Sequence, residues 1–306
     1  MKLGFLTACL PGLSLEELAG WAAANGFEAL EVAAWPDLGE RPFTATHLDV
    51  AQLDQAEADR VRGLFDDHHL TLSSLAFYDN NLHPDPSQRT AINQHVAACI
   101  DAAARLGCPT VGTFVGRDPT STVADNLNQA EQVFAPLVDR AGEAGVKLVI
   151  ENCVMEGWHP DGYPGNLAYS PELWEWLFAL GLYLNYDPSH LVWMGIDPVA
   201  ALRPYVERVA HAQAKDIQVF AERRDRYGWP GRAVARPDPW DVGWWRYRVP
   251  GLGQVDWPAV IDALYEGGFG GVVSVEHEDP VWGGDEDKVK TGLEIAHRTL
   301  RPLLVA

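Results

Sequence analysis

Lys147-Leu148-Val149-Ile150-Glu151-Asn152 is a short apolar run that opens just after Gly145 and breaks off in a carboxylate and an amide. A run this short, apolar on both alternating faces and bounded by glycine and polar loop, reads as a strand buried on both sides, as parallel strands are. The pattern recurs. Gly271-Val272-Val273-Ser274-Val275 runs into Glu276-His277-Glu278-Asp279, and Leu182-Tyr183-Leu184-Asn185-Tyr186 runs into Asp187-Pro188-Ser189-His190. Val209-Ala210-His211-Ala212-Gln213-Ala214 runs into Lys215-Asp216. Four strands are thus expected to deliver polar groups to one rim.

Upstream, Leu3 to Ala8 reads as a first strand, and Ser14-Leu15-Glu16-Glu17 supplies a capping box for a helix that Asn25-Gly26 stops. Further strands are expected over Ala29–Ala33, Leu70–Phe77 and Thr110–Val115, with helices from about Val50 to His68, Gln88 to Leu106 and Val123 to Ala144. Ser170-Pro171-Glu172 opens a fifth helix, Pro198 a sixth and Asp256-Trp257-Pro258 a seventh, while Lys288 to Leu300 closes the chain. Trp174 and Trp176 on the fifth helix read as packing against the barrel. Strict alternation of apolar strands and helices over 306 residues predicts a single (β/α)8 TIM barrel spanning 1–306. The rhythm breaks from about 220 to 254, where prolines and Trp240, Trp244 and Trp245 make an irregular connection, expected to be a lid or a subunit contact.

A formal charge of -20 argues against nucleic acid or an anionic membrane as partner, because phosphate binding needs a basic surface. No apolar run is long enough to span a bilayer, and the apolar stretch before Cys9 is far shorter than a secretion signal. The four cysteines form no C-x-x-C pair, which suits a reduced, cytoplasmic protein.

Barrel chemistry sits at the carboxyl ends of the strands, which is where the acids fall. On the seventh strand His211, Gln213 and Lys215 alternate with alanines, so the polar three share the inward face and must meet polar partners, a metal or water. Glu151, Asp187 and Glu276 are the candidates to meet them. Three carboxylates at one spot repel unless a cation or protons intervene, and a divalent metal is the simplest such cation. The competing reading of each acid alone is an ordinary strand-end carboxylate in solvent or paired with a loop arginine.

The series Glu151-Asn152, Asp187-Pro188-Ser189-His190, His211-Ala212-Gln213-Ala214-Lys215-Asp216, Pro250-Gly251-Leu252-Gly253 and Glu276-His277-Glu278-Asp279 resembles the sugar phosphate isomerase/epimerase family of xylose isomerase-like TIM barrels. The resemblance extends to Asp79-Asn80-Asn81-Leu82-His83-Pro84. It implies a divalent metal held by Glu, Asp, His and Glu, at Glu151, Asp187, Gln213 and Glu276. Gln213 departs from the second histidine of many relatives. An amide oxygen is harder than imidazole, so manganese or magnesium is expected over zinc. His211, deeper in the strand, is the alternative ligand.

With that ligand set, a metal chelated by a carbonyl and its neighbouring hydroxyl would stabilise an enediolate, while Glu151 and Glu276 remove and return the proton. The expected activity is therefore a carbohydrate isomerase or epimerase. A dehydratase or lyase on an inosose or keto-glycoside is the alternative; an apurinic-site endonuclease and a non-catalytic sugar-binding protein rank lower. His190 and Lys215 are substrate-binding candidates, against a structural histidine bond and a Lys-Glu pair in the barrel mouth. Arg246 and Arg248 are candidates to clamp a polar substrate from the lid, and His83 is a weaker one beside the loop residue Trp35. A homo-oligomer is a further expectation, resting on the tryptophan-rich segment.

Overall fold

The computed structural model describes residues 1–36, 45–159, 163–229 and 242–305. Its first five units are β1 (Lys2–Leu6) with α1 (Leu15–Ala24), β2 (Ala29–Ala33) with α2 (Gln55–Asp67), β3 (Thr71–Ala76) with α3 (Pro86–Leu106), β4 (Thr110–Thr113) with α4 (Val123–Ala144), and β5 (Lys147–Glu151) with α5 (Pro171–Ala179). Then come β6 (Tyr183–Tyr186), the short helices α6 (Ser189–Met194) and α7 (Pro198–Leu202), and β7 (Val209–Ala214). After β8 (Asp216–Val219), α8 (Ala221–Tyr227) and β9 (Trp245–Arg248), the chain ends with α9 (Trp257–Glu266), β10 (Val272–Val275) and α10 (Glu286–Leu300).

Strands β1, β10, β7, β6, β5, β4, β3 and β2 form a closed barrel in that order, all pairs parallel, as a (β/α)8 barrel requires. The helices start where the sequence supplies caps. Glu17 N donates to Ser14 Oγ at 3.2 Å while Ser14 N donates to Glu17 Oε2 at 2.8 Å, so two otherwise orphaned donors are satisfied reciprocally. The expected helix from about Val50 is shorter at its start: Asp54 Oδ1 accepts from Glu57 N at 2.8 Å and so caps it, while Asp49 closes its own turn onto Ala51 N at 3.0 Å. Trp174 is fully buried between α5 and the barrel, its Nε1 donating to Ala168 O at 2.7 Å, which is the packing role expected of it.

The stretch from about 220 to 254 is more regular at its flanks than its composition suggests; residues 230–241, with Trp240, lie outside the described ones. Strand β9 runs antiparallel to β8, with Asp216 opposite Arg248 and Val219 opposite Trp245. Trp245-Arg246-Tyr247-Arg248 alternates ring and cation, the period of a strand with one covered face, but over four residues that signal is short. Cys9, Cys99, Cys108 and Cys153 are all free. Among the described residues no helix is long and apolar enough to cross a membrane.

Candidate active site

Four strand ends build the site. Glu151 closes β5, Asp187 follows β6, Lys215 follows β7 and Glu276 follows β10. Asn152 ties the first two ends together: its Nδ2 donates to Asp187 O and its Oδ1 accepts from Asp187 N, both at 2.7 Å. The amide that ends the Lys147–Asn152 run is therefore a clamp on the end of the neighbouring strand β6.

One carboxylate oxygen each from Glu151, Asp187 and Glu276 lies within 4.8 Å of the others, all three residues being buried. Lys215 is 1% exposed, and its Nζ stands 2.8 Å from Glu276 Oε2, 3.2 Å from Asp187 Oδ2, 3.4 Å from Glu278 Oε2 and 3.8 Å from Glu151 Oε1. His190 Nε2 lies 3.2 Å from both Glu151 Oε1 and Asp187 Oδ2. Its Nδ1 is 3.0 Å from the Tyr247 hydroxyl, and the Tyr247 ring lies 4.7 Å from Lys215 Nζ. A tyrosine from β9 thus covers the rim that the acids line.

Burial and like charge separate the carboxylates. Desolvation, and then the Glu151 charge, push Glu276 well above the usual carboxylate range, and desolvation also raises Glu151. Asp187 suffers the same burial, but Lys215 and His190 hold it down at about 2. For Lys215 and His190 burial opposes the charged form. The surrounding acids, Glu276 first for the lysine, and Asp187, 3.2 Å away, for the histidine, keep both well above their ordinary values. Cys153 is also close to Glu151 and His190, but burial pushes its thiol up to about 12, so it stays protonated.

Beneath the rim lies a second polar layer, in which His211 and Gln213 meet partners that sequence reading did not name. Glu31, fully buried on β2, accepts from the Tyr78 hydroxyl and from Ser274 Oγ at 2.8 Å. Gln213 Nε2 is 3.3 and 3.4 Å from its two oxygens and 3.3 Å from Tyr78 Oη. Tyr78 Oη accepts from Asn185 Nδ2 at 2.7 Å, Asn185 Oδ1 is 3.0 Å from His211 Nδ1, and His211 Nε2 is 3.1 Å from Ser73 Oγ. Tyr78 reaches inside because β4 offers Gly112, where a Cβ would collide with its ring and hydroxyl. A lone acid in Ala29-Leu30-Glu31-Val32-Ala33 was the available signal, since an unpartnered charge in an apolar strand is costly.

Of the expected site residues, Glu151, Asp187, Glu276, Lys215 and His190 come together. Gln213 and His211 sit in the layer below, His211 with both ring nitrogens engaged and its pKa lowered by burial. Arg246 donates to Gln218 Oε1 at 3.0 and 2.9 Å and Arg248 Nη1 to the same oxygen at 3.1 Å, so both brace the β8–β9 ladder, and Arg248 Nε ties it to Asp279 Oδ2, past β10, at 2.8 Å. His83 Nδ1 accepts from Asp85 N at 3.1 Å in the turn that enters α3. Tyr247 and Glu278 were missed, the first inside the short alternation of β9, the second two residues past Glu276.

The donor set fits a hard divalent cation. It offers three clustered carboxylate oxygens, and Gln213 Oε1 is buried without a hydrogen bond. A family model described as xylose isomerase-like TIM barrel matches residues 19–299. This chain belongs to that family. It is 28% identical to the uncharacterized protein YfiH of Bacillus subtilis over 335 aligned residues, 98% of this chain and 99% of YfiH. An inosose dehydratase of Clostridium perfringens is 32% identical over 167 residues, 52% of this chain and 48% of that protein, so the match spans about half of each. D-psicose 3-epimerase with D-tagatose, from Clostridium cellulolyticum H10, superposes with a TM-score of 0.70 at 16% identity and full coverage of both chains.

Tyr247→Phe tests how the covering strand is held. The ring stays over Lys215, but the buried His190 Nδ1 loses its partner, a change worth about 1–3 kcal/mol. The urea midpoint is expected to fall accordingly; an unchanged midpoint would show that the bond adds nothing to the fold.

Proposed function

We propose that this chain is a divalent-metal-dependent carbohydrate isomerase or epimerase that moves a carbon-bound proton. The observation that carries the proposal is the buried oxygen trio of Glu151, Asp187 and Glu276 within 4.8 Å at three strand ends. These three would hold the ion, with the unpartnered Oε1 of Gln213 as the donor from β7, and an all-oxygen set favours manganese or magnesium over zinc. Bound there, the ion would supply Lewis-acid polarisation of a carbonyl and its neighbouring hydroxyl.

The chain's own groups do the rest. Glu151 and Glu276, both raised in proton affinity, take and return the proton, while Asp187, at about 2, stays ionised as an anchor. Their strands stand three places apart in the ring, so the two carboxylates approach a substrate from different sides. Return of the proton to the opposite face epimerises; return to the adjacent carbon isomerises. His190 holds a substrate hydroxyl, and the β8–β9 ladder with Tyr247 serves as a lid that keeps water out. Lys215 adds positive charge where negative charge develops.

A second reading, a dehydratase, is favoured by the half-length identity to inosose dehydratase. There the same base removes the proton, and the charged His190 imidazolium protonates the departing hydroxyl as water.

Proton NMR in deuterated water tests both, with ketoses, inososes and keto-glycosides, manganese-loaded protein and a chelator-treated control. Deuterium entering beside a carbonyl only in the loaded sample is the expected result, and the product separates epimerase, isomerase and dehydratase. Absence of exchange on every candidate, with metal bound, would overturn proton transfer.

A further inference from the structure

The mouth of the barrel already contains a cation. Lys215 extends from the end of β7 into the middle of the acids, and its ammonium is 2.8 to 3.8 Å from oxygens of Glu276, Asp187, Glu278 and Glu151. Three of those residues are the ones whose oxygens gather within 4.8 Å. A manganese or magnesium ion would need to stand about 2.0–2.2 Å from each such oxygen. The lone pairs that face Nζ are therefore those an ion would take, and Nζ would be left against a doubly charged neighbour.

Two features let the lysine leave. Its four-carbon stem is flexible and carries a point charge with no fixed geometry, unlike a guanidinium fork. The ring of Tyr247, 4.7 Å from Nζ, is a second acceptor for the ammonium on the lid side. Gln213 does not fill the gap from below, because its nitrogen is turned to Glu31 and Tyr78.

We propose that Lys215 is a tethered competitor for the divalent ion: ammonium and ion are alternative occupants of the Glu151, Asp187 and Glu276 carboxylates, and the ion binds by displacing the lysine. This rests on the metal-dependent reading above. It makes the ion exchangeable, with the lysine holding the carboxylates in place between occupancies.

Calorimetric titration of manganese into chelator-treated full-length protein tests it, comparing wild type with Lys215→Met and Lys215→Gln. Either variant is expected to bind manganese about tenfold more tightly or more, since one nearby positive charge has been removed. In wild-type protein, acetylation of Lys215 followed by mass spectrometry is expected to rise when manganese saturates the site, a readout that needs no variant to fold. Equal or weaker binding by folded variants, or unchanged acetylation, would overturn the competitor role and leave the metal reading standing. Binding by the variants but not by wild type would overturn the displacement, because the lysine would then exclude the ion outright, and with it the metal dependence of the native chain. No binding by any of the three would overturn both, because removing the competitor would have uncovered no site.

Discussion

Glu151→Gln is expected to slow carbon-bound proton exchange by roughly 100- to 10 000-fold while the protein stays folded. The magnitude is that of a lost general base. Glutamine keeps the volume of a side chain that is 1% exposed, and its carbonyl oxygen still accepts from His190 Nε2, 3.2 Å away in the wild type. What it removes is one negative charge from a rim where Asp187, Glu276 and Glu278 crowd a single lysine. Stability is thus expected to hold or rise while activity falls, the opposite of a core lesion. Glu276→Gln should behave alike, with the proton return affected. Solvent deuterium exchange with manganese at saturation reads the rate, and urea unfolding reads the fold. Near-wild-type exchange in either variant would remove that residue from the proton-transfer pair.

The second large effect concerns stability. Asp216→Ala is expected to cost about 3–5 kcal/mol, because several buried donors lose one charged acceptor together. Asp216 is fully buried; its Oδ1 accepts from Ile217 N at 2.8 Å and Val255 N at 3.0 Å, its Oδ2 from Gly251 N at 2.9 Å and Trp257 Nε1 at 3.1 Å. One carboxylate therefore binds the start of β8 to the Pro250-Gly251-Leu252-Gly253 turn and to the first turn of α9. The turn's glycines follow from the same contact: Gly251 has φ +91°, and a Cβ at Gly253 would collide with the Asp216 carboxylate. Urea unfolding followed by tryptophan fluorescence checks it. A loss below about 1 kcal/mol would mean that water replaces the carboxylate and that the loop is not pinned there.

Much of the barrel was legible because its signals are local. Apolar runs, caps at Ser14 and Asp256, and the Asn25-Gly26 stop each depend on a few consecutive residues, and the structure has elements where they predict them, whereas the helix expected from about Gln88 starts earlier, at Pro86, with Asp85 as its cap. Strand ends in acid were equally legible, which is why Glu151, Asp187 and Glu276 were named together. The short β9 strand was not, since four alternating residues beside prolines carry little weight until Asp216 and Gln218 supply partners for Arg248 and Arg246. Glu31 was passed over because its role depends on Tyr78, Ser274 and Gln213, up to 243 residues away.

The order of strands, the closed-barrel class, the rim that carries the acids and the inward parity of His211, Gln213 and Lys215 follow from the sequence alone, because period and capping are properties of neighbouring residues. Depth follows from the tertiary structure alone. The pairing of β7 with β10 sets Gln213 opposite Ser274, and Ser274 in turn holds Glu31, so the glutamine amide is drawn down to the floor. One step further along the same face, Lys215 reaches the carboxylates. Parity gives these two residues one direction, but the register of strands distant in the chain decides which of them meets the acids of the rim.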